Sequence, residues 1–136
     1  MNAGADAPLS VYLVVGEESG DQLGAGLIEA LKAQAQAPDA IRFLGVGGER
    51  MAAQGVSSLF PISDIAVMGL SAVLPRLPLI VKRVYQTVDH ILETDPDVVV
   101  IIDSPDFTHS VAKRVRKRAP HIPIVDYVSP SVWAWR

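Results

Sequence analysis

The sequence predicts an α/β fold in which a parallel sheet is covered by helices on both faces. Short apolar runs, typical of strands buried on both faces, alternate with longer segments whose apolar residues recur every three or four positions. The clearest run is Val98–Ile102, a stretch of β-branched residues between two aspartates. This alternation is typical of a Rossmann-like domain, and 136 residues are enough for one such domain with its own core.

The first half of the chain supplies two strong strands and one long helix. Residues 11–15 form an apolar run that ends at Gly16, and residues 21–37 carry leucines three or four positions apart, which predicts a helix. Residues 41–46 form the second strand, which glycines at positions 45, 47 and 48 bring to an end. A short helix at residues 49–54 and a weak third strand at residues 56–59 follow.

The second half repeats the strand–helix pattern. Residues 79–93 place Ile80, Val84 and Val88 on one face of a predicted helix, and the Asp-Pro-Asp sequence at residues 95–97 breaks it. Val98–Ile102 is then the fourth strand. Pro105–Arg118 is predicted to be helical, and residues 124–128 form the last strand.

Composition excludes several classes of protein. The net charge of −3 gives no sign of a nucleic-acid partner, and the lack of cysteine excludes disulfides and thiolate chemistry. The first eight residues contain no basic residue and no apolar run, which argues against a signal peptide and favours the cytoplasm. Both tryptophans lie in the last four residues, so we expect the chain to be cut within a larger protein.

Two polar loops are expected to converge at one edge of this sheet. With the strand order 3-2-1-4-5, the chain reverses direction between strands 1 and 4, and ligands bind beyond the carboxyl ends of those strands. Strand 1 ends in the loop at residues 16–21, and strand 4 ends in the loop at residues 103–106. These two loops therefore form the candidate site.

The first loop is rich in carboxylates. It lacks the glycine spacing of a dinucleotide site, and its negative charges would repel a pyrophosphate. A polyhydroxylated or cationic ligand suits Glu17, Ser19 and Gly20 better. Glu18 and Asp21 are explained more simply as acidic residues that favour the dipole of the following helix. Ser19 is also a candidate N-cap of that helix.

The second loop places Asp103 directly after five apolar strand residues. Its carboxylate is therefore expected at the mouth of the sheet, where it could act as a general base. Ser104 is predicted to be a helix N-cap and Pro105 the first helical residue. Asp106 in the first turn favours the helix dipole and is a candidate substrate ligand. A metal shared by Asp103 and Asp106 is a less favoured alternative, since the intervening Ser-Pro indicates separate roles.

Residues 66–81 form an apolar segment that two prolines interrupt. Its large side chains are Met68, Leu70, Val73, Leu74, Leu77 and Leu79. Arg76, Lys82 and Arg83 flank the latter half of the segment. An apolar surface with a basic rim suits membrane contact, although core packing explains the segment equally well. The basic run at residues 113–118 is interpreted as the solvated face of a helix, and the three histidines show no metal-ligand spacing.

Five segments together resemble the lipid-A-disaccharide synthase family, a group of bacterial glycosyltransferases of lipopolysaccharide assembly. They are residues 16–21, 45–51, 66–69, 102–107 and 127–136. The last ten residues and the Val-Met-Gly segment are the most specific of these motifs. The sequence departs from the family pattern at Glu18, where a small or hydroxyl residue is more common, and at Thr108, which is usually Asn.

The resemblance implies a two-domain, inverting GT-B enzyme at the cytoplasmic face of the inner membrane, with no catalytic metal or other cofactor. Such an enzyme transfers diacylglucosamine from UDP-2,3-diacylglucosamine to the 6-hydroxyl of 2,3-diacylglucosamine 1-phosphate, which gives lipid A disaccharide and UDP. Residues 1–136 would be the acceptor-side domain. The UDP-binding C-terminal domain would be missing, so we expect this chain alone to be inactive.

The resemblance also assigns roles to individual residues. Asp103 matches the proposed general base of the family, and Glu17 matches an acidic residue that orients a sugar hydroxyl. The apolar segment at residues 66–81 matches a surface that meets acyl chains or the membrane.

Two alternatives remain open on the sequence, both of them binding modules. A receiver-type phosphorylation module also carries acidic residues after its first strand, but it would need a lysine after the last strand, where this chain has Ser129-Pro130-Ser131. A nucleotide-binding Rossmann-like domain would need a phosphate cradle, which the acidic first loop argues against.

Overall fold

A computed structural model describes residues 8–37, 39–66 and 70–127 of the chain. The strands are β1 (Leu9–Val15), β2 (Ile41–Val46), β3 (Val98–Ile102) and β4 (Ile124–Tyr127). The helices are α1 (Glu18–Gln34), α2 (Glu49–Ala53), α3 (Leu70–Thr94) and α4 (Pro105–Arg118), with a short 3₁₀ turn at Ile62–Asp64.

The four strands pair in the order β2-β1-β3-β4, and every pairing is parallel. The predicted α/β, Rossmann-like fold is therefore confirmed. β1 lies at the centre, with Val14 opposite Val46 on one side and opposite Ile101 on the other. The chain moves outward to β2 and then returns to place β3 on the other side of β1, so the predicted reversal between these strands is confirmed.

The predicted third strand at residues 56–59 is wrong. The segment has no strand structure, although the side chain of Val56 is buried. Its backbone follows a turn at Gly55, whose φ is +96°. The Ser58 hydroxyl accepts a hydrogen bond from the Gly47 amide at 3.0 Å and donates one to the Phe60 carbonyl at 2.7 Å. The Leu59 amide also donates to the Gly45 carbonyl oxygen of β2 at 3.0 Å, so a single backbone hydrogen bond and the bonds of Ser58 hold the segment without a strand ladder.

The predicted bounds of two helices, α1 and α3, also differ from the structure. α1 covers Glu18–Gln34 rather than residues 21–37, so it begins one turn earlier. α3 begins at Leu70 instead of residue 79, because Pro75 and Pro78 lie inside the helix rather than before it. Each proline removes one backbone hydrogen bond without ending the helix. None of the helices in the described part of the chain is both long and apolar enough to cross a membrane.

The strands β1 and β3 are buried on both faces, as their unbroken apolar runs predict, whereas β4 is largely exposed. Successive residues of β1 point to opposite faces, so Tyr12 and Val14 pack beneath α3 and α4, whereas Leu13 and Val15 pack with α1 and α2. The Tyr12 hydroxyl lies 2.7 Å from Nδ1 of His90 in α3, and burial raises the pKa of this tyrosine well above its ordinary value. β1 and β3 are consequently packed on both faces up to their carboxyl ends.

We expect Gly45→Ala to lower the free energy of unfolding by about 3 kcal/mol or more, because alanine would have a strained backbone there and its Cβ would clash with β1. Gly45 has a φ of +143°, and an added Cβ would lie 1.9 Å from the Leu13 carbonyl oxygen. Gly26→Ala is the control, since an added Cβ meets nothing within 4 Å there. It should raise stability by about 0.5–1 kcal/mol. Urea unfolding followed by circular dichroism measures both, and equal stability of the two variants would contradict the expectation.

Candidate functional site

The two predicted loops meet at the carboxyl ends of β1 and β3. Their backbones approach so closely that a Cβ added at Gly16 would lie 2.6 Å from the Cβ of Ser104. Real side-chain atoms do not come this close, so position 16 must be glycine while position 104 carries a side chain. The contact brings the acidic loop after β1 next to Asp103 at the end of β3.

Ser19 connects the carboxylates of the two loops. Its Oγ lies 2.8 Å from Oε1 of Glu17 and 3.0 Å from Oδ2 of Asp103. The hydroxyl has a single hydrogen, which it donates to one carboxylate at a time or shares between them. The predicted N-cap role of Ser19 is wrong, because the N-cap residue of α1 is Glu17 and Ser19 lies inside the first turn. The structure thus brings together three predicted site residues, which we call the Glu17–Ser19–Asp103 cluster.

The backbone that presents Asp103 is strained. Asp103 has a φ of 53° and Ser104 a φ of 44°, so two successive non-glycine residues are left-handed. Each such residue costs on the order of 1–3 kcal/mol, and such strain is often found at functional sites. Ser104 is the N-cap residue of α4, as predicted, but its side chain makes no capping hydrogen bond.

The side chain of Thr108 hydrogen-bonds to this strained loop. The side chain is buried, and its hydroxyl lies 2.9 Å from the Asp103 carbonyl oxygen and 3.1 Å from that of Ser104. The threonine hydroxyl supplies a donor to the loop carbonyls, so the loop has local support at this position.

A cleft of 410 Å³ opens beside the cluster, and Glu17 is the member of the cluster that lines it, next to Ser104, which follows Asp103. Its polar wall comes from the two loops and the start of α4, and its apolar wall comes mainly from α3. The polar wall contains Gly16, Glu17, Ser104, Asp106 and Ser110, and the apolar wall contains Ile65, Leu77, Ile80, Val81 and Val84. The arrangement suits a ligand that is polar at one end and apolar at the other.

The two remaining predicted polar residues occupy different environments. Asp106 is exposed in the first turn of α4 and lines the cleft. Gly20 is buried, and a Cβ there would lie 3.2 Å from both the Ile102 carbonyl oxygen and the Cβ of Val15. Gly20 thus allows α1 to pack closely on the ends of β1 and β3.

The outer side of α3 carries exposed apolar residues at helical spacing. Leu74 is 59% exposed and Leu77 46%, and they are followed by Val81 at 46% and Tyr85 at 43%. We call these four residues the α3 stripe. Of the other residues predicted for membrane contact, Leu79 is half-buried. Met68 and the side chains of Leu70 and Val73 lie outside the described residues.

The predicted basic rim is smaller than the sequence indicates. Arg83 is not part of it, because its Nη2 lies 2.7 Å from Oδ2 of Asp64 and its guanidinium stacks 5.1 Å from the centroid of the Phe60 ring. Arg76 donates to the Ser63 carbonyl oxygen at 2.8 Å but stays exposed, as does Lys82. Arg83 therefore anchors α3 to the 3₁₀ turn, and two cations remain beside the stripe.

Asp21 has a structural role that sequence reasoning missed. Its buried carboxylate accepts hydrogen bonds from the backbone amides of Gly48, Arg50 and Met51, at 2.8–3.0 Å. It therefore caps α2 from α1, instead of acting on the dipole of its own helix. No sequence spacing reveals this contact, because the partners are nearly thirty residues apart.

Each of the three histidines contacts a different partner. His90 contacts Tyr12, whereas exposed His109 and His121 pair with Asp126 and Asp95 at 3.4 and 2.9 Å. Within residues 8–37, 39–66 and 70–127, no group of three or more His, Cys, Asp or Glu side chains is arranged to hold a metal ion.

Comparison with known proteins gives one consistent result. A family model described as lipid-A-disaccharide synthetase matches residues 11–136. The chain is 54% identical over 132 residues to the lipid-A-disaccharide synthase of Nitrobacter hamburgensis, covering 97% of the chain and 33% of that protein. It is 50% identical over 136 residues to that of Bradyrhizobium diazoefficiens, covering 100% of the chain and 34% of that protein. The chain thus spans about a third of the length of these curated relatives.

We expect Asp21→Ala to lower the free energy of unfolding by about 2 kcal/mol or more, because α2 loses a charged acceptor for three backbone amides. Glu18→Ala removes a neighbouring exposed carboxylate and should change stability by less than about 0.5 kcal/mol. Urea unfolding gives both values, and amide exchange at Arg50 and Met51 reports α2 directly. If the Asp21 variant keeps the parent stability and slow exchange, Asp21 does not cap α2.

Proposed function

Because the chain belongs to the lipid-A-disaccharide synthase family, we propose that it is the acceptor-side domain of an inverting GT-B glycosyltransferase. The complete enzyme would join UDP-2,3-diacylglucosamine to 2,3-diacylglucosamine 1-phosphate and release UDP. One observation carries the proposal beyond the family name. The Glu17–Ser19–Asp103 cluster adjoins a cleft whose opposite wall is apolar, as an acylated sugar requires.

In this proposal, Asp103 is the general base. The 6-hydroxyl of the acceptor donates its proton to the Asp103 carboxylate while its oxygen attacks the anomeric carbon of the donor. The new C–O bond forms on the face opposite UDP, and the bond to the diphosphate breaks with its electron pair leaving on UDP. The anomeric configuration is therefore inverted. The position of Asp103 at the end of β3 supports this role, because a rigid strand fixes the carboxylate.

The neighbours of Asp103 are proposed to position the base and the sugar. Ser19 is a hydrogen-bond donor to Asp103 and fixes the direction of its carboxylate. Glu17 and Asp106 line the cleft and can accept hydrogen bonds from other sugar hydroxyls. Gly20 contributes by letting α1 approach, which places Ser19 within reach of Asp103.

The donor is proposed to bind elsewhere. The loop after β1 carries Glu17 and Glu18, and these carboxylates disfavour a diphosphate at the start of α1. We therefore place the UDP site in a C-terminal domain outside residues 1–136, and this chain by itself would be inactive.

The α3 stripe is proposed to contact the inner membrane at its cytoplasmic face. Leu77 and Val81 belong to both the stripe and the apolar wall of the cleft. A continuous apolar surface therefore leads from the outside of α3 into the cleft, and acyl chains could follow it from the bilayer. Arg76 and Lys82 would add attraction to anionic lipid.

In the complete enzyme, Asp103→Asn is expected to lower kcat by about 10²–10⁴-fold while the acceptor KM changes little, because a general base is lost. Asn tolerates the left-handed backbone at this position, so the loop should persist. Asp106→Asn is the matched control and should cost only a few-fold. UDP release with both lipid substrates measures the rates. A wild-type rate in the Asp103 variant would reject the base assignment, and equal losses in both variants would indicate a joint role.

Leu74→Ser/Leu77→Ser is expected to weaken binding of this chain to phosphatidylcholine vesicles by roughly tenfold or more, because two exposed leucines lose apolar surface available for insertion. The fold should remain, since both side chains are already exposed. Leu9→Ser/Val125→Ser removes two equally exposed apolar side chains outside α3 and serves as the control. Co-sedimentation at high salt isolates the apolar contribution. Equal binding by the two double variants would contradict membrane contact through the α3 stripe.

A further inference from the structure

The groove between α3 and α4 is lined by cationic side chains that have no role in the proposed reaction. Tyr85 of α3 forms one side, and Lys113, Arg114, Lys117 and Arg118 of α4 form the other, around a volume of 460 Å³. We propose that this basic groove binds the phosphate of an anionic phospholipid headgroup. The proposal rests on the membrane contact proposed above and identifies the lipid class that the surface recognises.

The charge of the groove is concentrated and largely unopposed. The whole chain has a net charge of −3, yet four cationic side chains line this one groove. Within the described residues, the carboxylate that pairs with them is Asp89, whose Oδ1 lies 3.7 Å from Nη1 of Arg118 in an exposed contact. An exposed pair of this length contributes little. The net charge of the groove therefore favours an anion.

One of these cations is held in place before any ligand binds. Nη1 of Arg114 donates to the Ser110 carbonyl oxygen at 3.0 Å, and its guanidinium carbon lies 5.2 Å from the centroid of the Tyr85 ring. The Arg114 guanidinium lowers the pKa of the Tyr85 phenol, and the charge of Arg118 adds to this effect. A fixed guanidinium between two flexible lysines suits a phosphate, since arginine presents several donors and lysine adds point charge.

The position of the groove separates it from the reacting acceptor. α4 begins at the carboxyl edge of the sheet and runs away from it, so Lys117 lies about 16 Å along the helix from Asp106. An acceptor whose hydroxyl contacts Asp103 cannot place its own 1-phosphate that far away. The anion must therefore belong to another molecule.

A lipid headgroup fits because the groove continues the α3 stripe. Tyr85 is the last residue of the stripe and also lines the groove, whereas Leu77 and Val81 line the cleft. Cleft, stripe and groove thus follow one another along the same pair of helices. A bilayer that meets the apolar stripe places its headgroup phosphates beside it, at the level that tyrosine side chains prefer. A phosphate bound in the groove would fix how the domain rests on the membrane.

The test compares two charge-matched variants of this chain on phosphatidylcholine vesicles with and without phosphatidylglycerol. Lys113→Gln/Lys117→Gln removes two cations from the groove, and Arg42→Gln/Arg50→Gln removes two exposed cations from β2 and α2. On vesicles with phosphatidylglycerol, the groove variant should bind roughly 30-fold more weakly than the parent, at about 1 kcal/mol per cation. The control should lose less than about threefold, since its cations lie on β2 and α2, away from the α3–α4 groove. Circular dichroism confirms that both variants fold.

Two results would overturn the proposal. Equal losses in the two variants mean that attraction is diffuse and the groove is not a site. Complete release of the bound chain by free sn-glycerol 3-phosphate, added at the phosphate concentration of the vesicles, means that the groove recognises a soluble phosphate. Neither result bears on the reaction, which the Asp103→Asn rate tests separately. Conversely, a wild-type rate in the Asp103→Asn variant would reject the base assignment but would not change the conclusion from the vesicle experiment.

Discussion

The contact between Gly16 and Ser104 sets the geometry of the candidate site. The loops after β1 and β3 meet there with no room for a second side chain, since an added Cβ would lie 2.6 Å from its neighbour. Because of this approach, Ser19 at the start of α1 can reach across to Asp103 at the end of β3. A looser junction would separate the carboxylates into two unrelated loops, and the cleft beside them would lose its polar wall.

α3 joins the interior of the domain to its outer surface. Its inner face carries Val84, Val88 and Ile91, which are buried over the sheet. The ion pair between Arg83 and Asp64 fixes the helix against the 3₁₀ turn, so the outer α3 stripe has a defined position. One helix therefore supplies core packing, a cleft wall and an exposed apolar surface, which explains why its sequence supports both a core and a membrane interpretation.

The sequence predicts most of the sheet but less of its surroundings. β1, β2 and β3 are clear because long apolar runs need burial on both faces, and the order of these strands follows from the connections between them. The segment at residues 56–59 gives only a weak strand pattern, since two of its four residues are serines. It makes one backbone hydrogen bond to β2, from Leu59 to Gly45, and side-chain hydrogen bonds through Ser58 instead of a ladder. The start of α3 is missed because proline is read as a helix end, whereas Pro75 and Pro78 lie within the helix.

The candidate site, like the fold, can be predicted only in part from the sequence. Asp103 can be singled out because it follows a buried strand directly, and Glu17 because it follows another. Their link through Ser19 depends on side-chain directions in three dimensions, as does the cap that Asp21 places on α2. Periodicity contains no information on either contact. The basic groove is likewise invisible in the sequence, because a run of cations on a helix is the same whether it faces water or a neighbouring helix.

The strained backbone at Asp103 and Ser104 has a consequence for how the protein can evolve. Two left-handed residues together cost on the order of 2–6 kcal/mol, in a protein class whose total stability is typically about 5–15 kcal/mol. Selection for stability alone would replace Ser104 with glycine and relax the turn. Glycine at position 104 would also remove the side chain that packs against Gly16, and the direction of the Asp103 carboxylate would then be less well fixed. The loop is therefore a place where the stability of the fold and a fixed direction of the Asp103 carboxylate place opposite demands on the sequence.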